Sequence, residues 1–328
     1  MIKIAGIDVG GTYIKAGLAI NPPEVEDFKS IATQHANLVE QLIEIAEEYE
    51  PEALGIGVPG LVANGVLYSS PNLPEIKNLK LEEILKTRLK IPVRVANDAG
   101  MSALGEWKYG VGKGTHNLLL LTLGTGIGGG LILADKLYTG AGFAGEVGHI
   151  IIDPNGPPCG CGGYGCLESF VGSRALEQRA IQGIEIGIKT SLSKFHSSHS
   201  ERSEESHLSN FEIPKQVQND RKVRYKKITP KIISEEAYRG DEFARSIIEI
   251  AGYYLGIGIA GLCAVLDPDI VVLGGGVSRA GEILFNKIKE EVRHRLYLRK
   301  EIPIVPAKLG DHDGILGSAL YMSKQKAT

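Results

Sequence analysis

A chain of 328 residues exceeds what one hydrophobic core usually holds, and 43% hydrophobic with 23% charged residues is the composition of a folded protein able to bury more than one. A formal charge of −3 with both signs interspersed gives no electrostatic ground for nucleic acid or an anionic membrane as the main partner, so a small molecule held between two lobes is expected. The opening MIKIAGIDVGG lacks a basic leader followed by an apolar core, which points to a cytoplasmic protein. The longest apolar stretch, residues 251–266, is shorter than a bilayer requires and is interrupted by Gly252, Gly256, Gly258 and Gly261, so it reads as a packed core helix.

In chain order, residues 3–20 read as strand, glycine turn, strand: IKIAGIDV, then Gly10, Gly11 and Thr12, then the alternating IKAGLAI. Residues 36–49 place Leu38, Leu42, Ile45 and Tyr49 on one helical face, and 81–89 behave likewise. Between them, 55–61 and 91–95 are short apolar strands, the first ending at Pro59-Gly60 and the second at Asn97-Asp98, where a helix begins. Strand-to-helix edges line the ligand crevice of open α/β sheets, so Asp98 is the first place to look for chemistry. A helix cap is an equally good reading of the residue alone. Residues 117–133 repeat the opening plan around Gly124, Thr125 and Gly126, and DIVVLGGGV at 269–277 is a third buried strand meeting glycines. Residues 191–227 break the pattern. Serine-rich and charged, with His196, His199 and His207, they read as an inserted surface loop that adds no activity.

Gly124, Gly126 and Gly129 satisfy the G-x-G-x-x-G spacing, with Glu146 near the place of a ribose-binding acid. A dinucleotide site needs a helix to open at the third glycine, whereas LILADKLY reads as a returning strand, so that reading fails on context. Gly112-Lys113-Gly114 likewise lacks the spacing of a Walker loop. Glycine hairpin turns can still cradle phosphate through successive backbone N–H groups, two of them clamping one triphosphate. Thr12 and Thr125 would add hydroxyl donors, and Asp8 would hold, through water, the Mg²⁺ that accompanies ATP.

His149, Cys159, Cys161 and Cys166 make a Cys₃His set in a glycine- and proline-rich loop, the donor set of a structural zinc site with every position filled by protein. Glu146 and Glu168 flank this loop, so a metal that orders it would also fix both acids. Convergent carboxylates suit a polyol, whose hydroxyls each donate a hydrogen bond.

Taken together, GIDVGGTYIKAG (6–17), VPG (58–60), ANDA (96–99), LTLGTGIGGG (121–130), GEVGH (145–149), CGCGGYGCLE (159–168) and VVLGGGV (271–277) resemble the ROK family of sugar kinases and sugar-responsive repressors, particularly its glucokinases. The resemblance covers nearly the whole chain except 191–227. It implies the actin-like ATPase architecture, an α/β fold related to ribonuclease H, with two lobes and a ligand cleft between them. The lobes would be 1–115 and 116–310, the first rejoined by a C-terminal helix over about 311–328. By motif match Asp98 would be the catalytic base, and Gly60, Asn97, Asp98, Glu146, His149 and Glu168 would hold the sugar. His149 would bind zinc through one ring nitrogen and face the sugar with the other. Asp8, Gly10, Gly11, Thr12 and Lys15 with Gly124, Thr125 and Gly126 would hold ATP and Mg²⁺, and Gly274, Gly275 and Gly276 would lie against the adenosine. The implied reaction is ATP-dependent phosphorylation of a hexose, glucose first and N-acetylmannosamine or N-acetylglucosamine as alternatives, by a homodimer or homotetramer. A repressor is disfavoured because the first strand starts near Lys3, leaving no room before it for a helix-turn-helix.

Overall fold

The computed structural model describes residues 2–70, 76–196, 227–297 and 301–323. Its first sheet grows from IAGIDV and YIKAGL, whose period-two alternation buries Ile7, Val9, Ile14 and Ala16 completely. β1 (Ile4–Val9) and β2 (Tyr13–Leu18) form the hairpin, and β3 (Glu26–Ala32) adds an antiparallel edge. After α1 (Leu38–Tyr49), β4 (Ala53–Val58) pairs with β1 in parallel. A small sheet of β5 (Leu61–Ala63), β6 (Val66–Ser69) and β7 (Lys77–Leu79) follows, then α2 (Leu81–Leu89), then β8 (Val93–Asn97) parallel to β4. From the end of β8 springs α3 (Asp98–Tyr109).

The second sheet repeats this plan. β9 (Leu118–Leu123) and β10 (Ile127–Leu133) form a hairpin edged by β11 (Lys136–Leu137). Helices α4 (Leu167–Val171), α5 (Ser173–Glu185), α6 (Pro230–Tyr238) and α7 (Glu242–Leu266) lead to β12 (Ile270–Gly274), parallel to β9. Then come α8 (Glu282–Arg295), β13 (Ile304–Pro306) parallel to β12, and α9 (Asp313–Ser323). The strand orders are β3-β2-β1-β4-β8 and β11-β10-β9-β12-β13, each an antiparallel edge, a hairpin and two parallel strands. The duplication legible in the two glycine hairpins is thus a duplication of topology.

One core lies within each lobe, and a third joins them: Met101 and Leu104 bring α3 onto Leu118, Leu120 and Val272 of the second sheet, and Leu320 of α9, whose backbone packs on Gly6 and Gly55 of the first sheet, completes it. Although α7 is long and apolar enough to cross a membrane, Ile247, Ile248, Ala251, Leu255, Ile259 and Cys263 bury one face of it in the second core. Some boundaries differ from expectation. Residues 35–37 are a 3-10 turn and the helix proper starts at Leu38. The strand expected over 55–61 is cut at Val58, because Gly60 takes φ +112 and redirects the chain into β5. The inserted segment starts later than 191: Ser191–Phe195 is a 3-10 turn with Leu192 fully buried and the Ser191 hydroxyl donating to Glu236 and Asp241. Most of that expected loop, 197–226 with His199 and His207, lies outside the described residues, as do 324–328 of the expected C-terminal helix.

Candidate active site

Asp98 owes its place to two local decisions. Asn97 ends β8 in extended conformation and caps α3, its side-chain oxygen accepting from Gly100 N–H at 3.0 Å while its amide donates to the Gly60 carbonyl at 3.1 Å. That leaves Asp98 as the first helical residue, with one carboxylate oxygen accepting from Ala99 N–H at 2.9 Å. Burial, together with the nearby charges of Asp8 and Glu146, pushes its carboxyl up to about 7, against the pull of backbone N–H groups.

The glycine run of β10 decides what faces Asp98. A β-carbon at Gly128 or Gly130 would lie 2.9 Å from Ala99 or 2.4 Å from Ala103 respectively, so these two glycines let α3 rest on the strand. Gly129, on the opposite face, would meet the Gly145 carbonyl at 2.3 Å and Val147. β10 is thereby sandwiched between the helix that carries Asp98 and the loop that carries Glu146. Of the glycines that mimic a dinucleotide fingerprint, Gly129 serves close packing in a returning strand, and Gly124 and Gly126 lie in the turn before it.

Around the first hairpin turn the groups are ionic. Asp8 closes β1 opposite Lys15 of β2, and Lys15 Nζ lies 3.9 Å from Asp8 and 3.1 Å from Asp311. Burial raises the Asp8 carboxyl above its usual range, while the Lys15 ammonium holds that of Asp311 below it. Asp313, at the start of α9, is pushed up to about 7 by burial and by Asp8. Sequence reasoning missed Asp311 and Asp313, because nothing local to GDHDG shows that this helix end is carried back against β1. The turn itself is braced by Thr33, whose hydroxyl donates to the Gly10 carbonyl at 2.8 Å, and by a His35 ring nitrogen 2.7 Å from the Gly11 carbonyl. Thr12 sits in the same turn, its carbonyl accepting from Thr33 N–H at 2.9 Å.

The second turn, Gly124, Thr125 and Gly126, is held by neutral and backbone contacts. Ser173 donates to the Gly124 carbonyl from both its N–H (2.9 Å) and its hydroxyl (2.7 Å). Glu168 accepts from Ile127 N–H at 2.8 Å through one oxygen and has the other 3.9 Å from Cys159 Sγ. Glu168 was expected on the sugar and is placed between the cysteine loop and this turn, since α4 starts directly beneath it. The Gly274, Gly275 and Gly276 turn packs beside the end of β9, with the Ser278 hydroxyl donating to the Gly275 carbonyl at 2.7 Å.

His149, Cys159, Cys161 and Cys166 come together, their ligating atoms all within 4.8 Å of one another. Cys159 Sγ is 3.6 Å from His149 Nδ1, and Cys161 Sγ is 3.7 Å from Cys166 Sγ. A tetrahedral zinc ion with bonds of about 2.3 Å to sulfur and about 2.0 Å to nitrogen separates its ligands by about 3.5–3.8 Å, so the cluster fits that ion. The other imidazole nitrogen, Nε2, lies 3.9 Å from Glu146, so the ring stands between the cluster and the acid.

The same fold recurs in known proteins, and relatives match nearly the whole chain. A glucokinase of Thermotoga maritima is 32% identical over 99% of this chain and 98% of its own length. A xylose repressor of Caldicellulosiruptor bescii is 31% identical over 96% of this chain and 76% of its own. The crystal structure of a ROK family glucokinase from Streptomyces griseus, in complex with glucose and AMPPNP, superposes with a TM-score of 0.78 at 30% identity, covering 97% of this chain and 98% of that one. With the family pattern itself matched over residues 4–325, this chain belongs to the ROK family and has its actin-like ATPase fold.

Proposed function

We propose that this chain, an ATP-dependent sugar kinase, transfers the γ-phosphate of ATP to the carbon-6 hydroxyl of glucose in the cytoplasm, with Asp98 as the base. The observation that carries the reading is Asp98 itself. It stands at a helix start facing a second acid-bearing loop, with a carboxyl raised to about 7, where it can both accept a proton at neutral pH and release it afterwards. The relatives named glucokinase supply the choice of sugar.

Phosphoryl transfer depends on in-line placement and charge neutralisation more than on covalent help. Asp98 takes the proton of the attacking hydroxyl as it turns toward the phosphate. Gly60, Asn97, Glu146, His149 and Glu168 orient the remaining hydroxyls, Glu168 also fixing the second turn. The two hairpin turns, with Thr12 and Thr125, hold the phosphates from opposite lobes, Lys15 offers a cation beside them, and the Gly274 to Gly276 turn borders the adenosine. Mg²⁺, when bound, neutralises phosphate charge, and Asp8 is the residue that would hold it through water. Zn²⁺ would be held by His149, Cys159, Cys161 and Cys166, and its contribution is a cross-link that fixes the imidazole and the loop.

The test is release of ADP by purified protein supplied with glucose, mannose, fructose, N-acetylmannosamine or N-acetylglucosamine. Glucose is expected to give the highest kcat/KM. A higher value with an N-acetylhexosamine overturns the choice of sugar, and turnover of none of them overturns the kinase. Operator binding by the chain would instead favour the repressor branch that the xylose repressors represent.

A further inference from the structure

The chain passes between lobes twice: once from α3 through residues 110–117 into β9, and once from β13 through residues 307–312 into α9. Both passages converge on one fully buried carboxylate. Glu106, on α3, accepts from Lys308 N–H and Leu309 N–H, each at 2.7 Å, through one oxygen, and from Val111 N–H at 3.1 Å through the other. All three donors are backbone groups within the crossing segments or at their edges.

The helices that flank these passages are in direct contact. A β-carbon at Gly105 of α3 would lie 2.2 Å from the Asp313 carbonyl, and one at Gly317 of α9 would lie 1.7 Å from the Met101 carbonyl. α3 and α9 therefore cross backbone to backbone, with Glu106 beside the crossing. Glu106 also lies about two turns along the same helix from Asp98, and the segment it grips leads into Asp311 and Asp313, which flank Lys15 and Asp8. On the outer side a cavity of about 400 Å³ separates Pro22 and Pro23 of the first lobe from His116 and Asp135 of the second, with Trp107 in its wall.

We propose that Glu106 is a positioning residue that pins the two interlobe passages together, so that lobe closure pivots about it and carries Asp98 and the first phosphate turn into register as one unit. A side chain that merely filled this space would not need three backbone donors drawn from two different passages. Removing the carboxylate uncouples the helix bearing Asp98 from the segment bearing Asp311, while Glu146 and His149 of the second lobe stay where they are. This rests on the kinase reading for its activity readout, and on binding of glucose and an ATP analogue for the other two.

Trp107, the single tryptophan of the chain, adjoins the pivot and donates its indole N–H to the Thr115 carbonyl at 2.8 Å within the first passage, which makes its emission a direct reporter. The experiment compares the wild-type chain, Glu106→Gln and Glu236→Gln, the last removing a buried carboxylate confined to the second lobe, where it meets Ser191, Lys194 and Arg239. Measured per folded molecule, Glu106→Gln is expected to lower kcat by about ten- to a hundredfold with glucose KM within about twofold, and to blunt the Trp107 emission change on adding glucose with a non-hydrolysable ATP analogue. Glu236→Gln is expected to melt earlier with wild-type kcat and emission response. Wild-type kcat and emission response in Glu106→Gln overturn the proposal, as does an equal loss of kcat in Glu236→Gln. Should Glu106→Gln fail to fold, hydrogen exchange on the wild-type chain decides. Amides in 108–113 and 307–311 are expected to share one protection level that shifts together on adding the two ligands, and independent exchange overturns the pivot. Absence of wild-type turnover would defeat the kinase reading, and the emission and exchange results would still judge the pivot.

Discussion

The two glycine hairpins have the same topology and opposite surroundings. Around the turn between β1 and β2 lie Asp8, Lys15, Asp311 and Asp313, charged groups whose proton affinities are shifted by one another and by burial. Around the turn between β9 and β10 lie Ser173 and Glu168, which hold backbone atoms and tie the turn to the cysteine loop. A duplicated unit has been divided: the first copy handles charge beside the base, and the second is a frame whose position depends on its neighbours. Variants on the first side should change kcat, and variants on the second should change affinities.

The largest effect belongs to Asp98. Asp98→Asn is expected to lower kcat by about 10² to 10⁴ while glucose binding, measured calorimetrically, changes little. In the wild-type chain kcat/KM should fall as pH drops through about 7, because the protonated carboxyl cannot accept the hydroxyl proton. The same limb in kcat should lie lower, since cations bound with ATP favour the ionised form. Next, Asp8→Asn should cost about 10- to 100-fold in Mg²⁺ affinity or turnover, read from Mg²⁺ titrations of the rate. On the second side, Cys161→Ser should remove bound zinc, measured by metal analysis, and raise glucose KM more than it lowers kcat. An unchanged KM would break the link between the loop and the sugar. Ser173→Ala removes one hydrogen bond of about 1 kcal/mol, so ATP KM should rise about fivefold with glucose KM unaltered. A reversed pattern, kcat falling instead, would erase the distinction between the turns.

The smallest effect is one of stability. Asp313 has a folded carboxyl near 7 against an ordinary 3.8, so the folded state binds more protons between those values and stability is lost as pH rises through that window. Asp313→Asn should therefore raise Tm by a few degrees at pH 8, measured by thermal melts, and change it little at pH 3.5.

Much of the site was legible because its parts are local. The turns at Gly10 and Gly124, the edge at Asn97 and Asp98, and the cysteine spacing each declare themselves within a dozen residues, and the structure brings them into one region. What escaped was carried by long-range packing. Asp311, Asp313 and Glu106 matter through partners far away in sequence, such as Lys15, Asp8 and Leu309, and no local periodicity reports such pairs. Glu168 was found for its proximity to the cysteines, yet its bond to Ile127 N–H depends on where α4 meets β10. The actin-like architecture was implied by the family resemblance, whereas the point at which β4 gives way to β5 depended on a single positive φ at Gly60.

The 3-10 turn before residue 197 carries a lesson for engineering. Thr190 and Ser191 grip Asp241 on the near side, and Thr229 caps α6 on the far side, with Ile228 buried next to it. The two flanks, Thr190–Ser191 and Ile228–Thr229, are thus each fastened to the same helical layer, so a cut in the chain between them would leave both ends held to the second lobe by bonds that do not depend on what joins them.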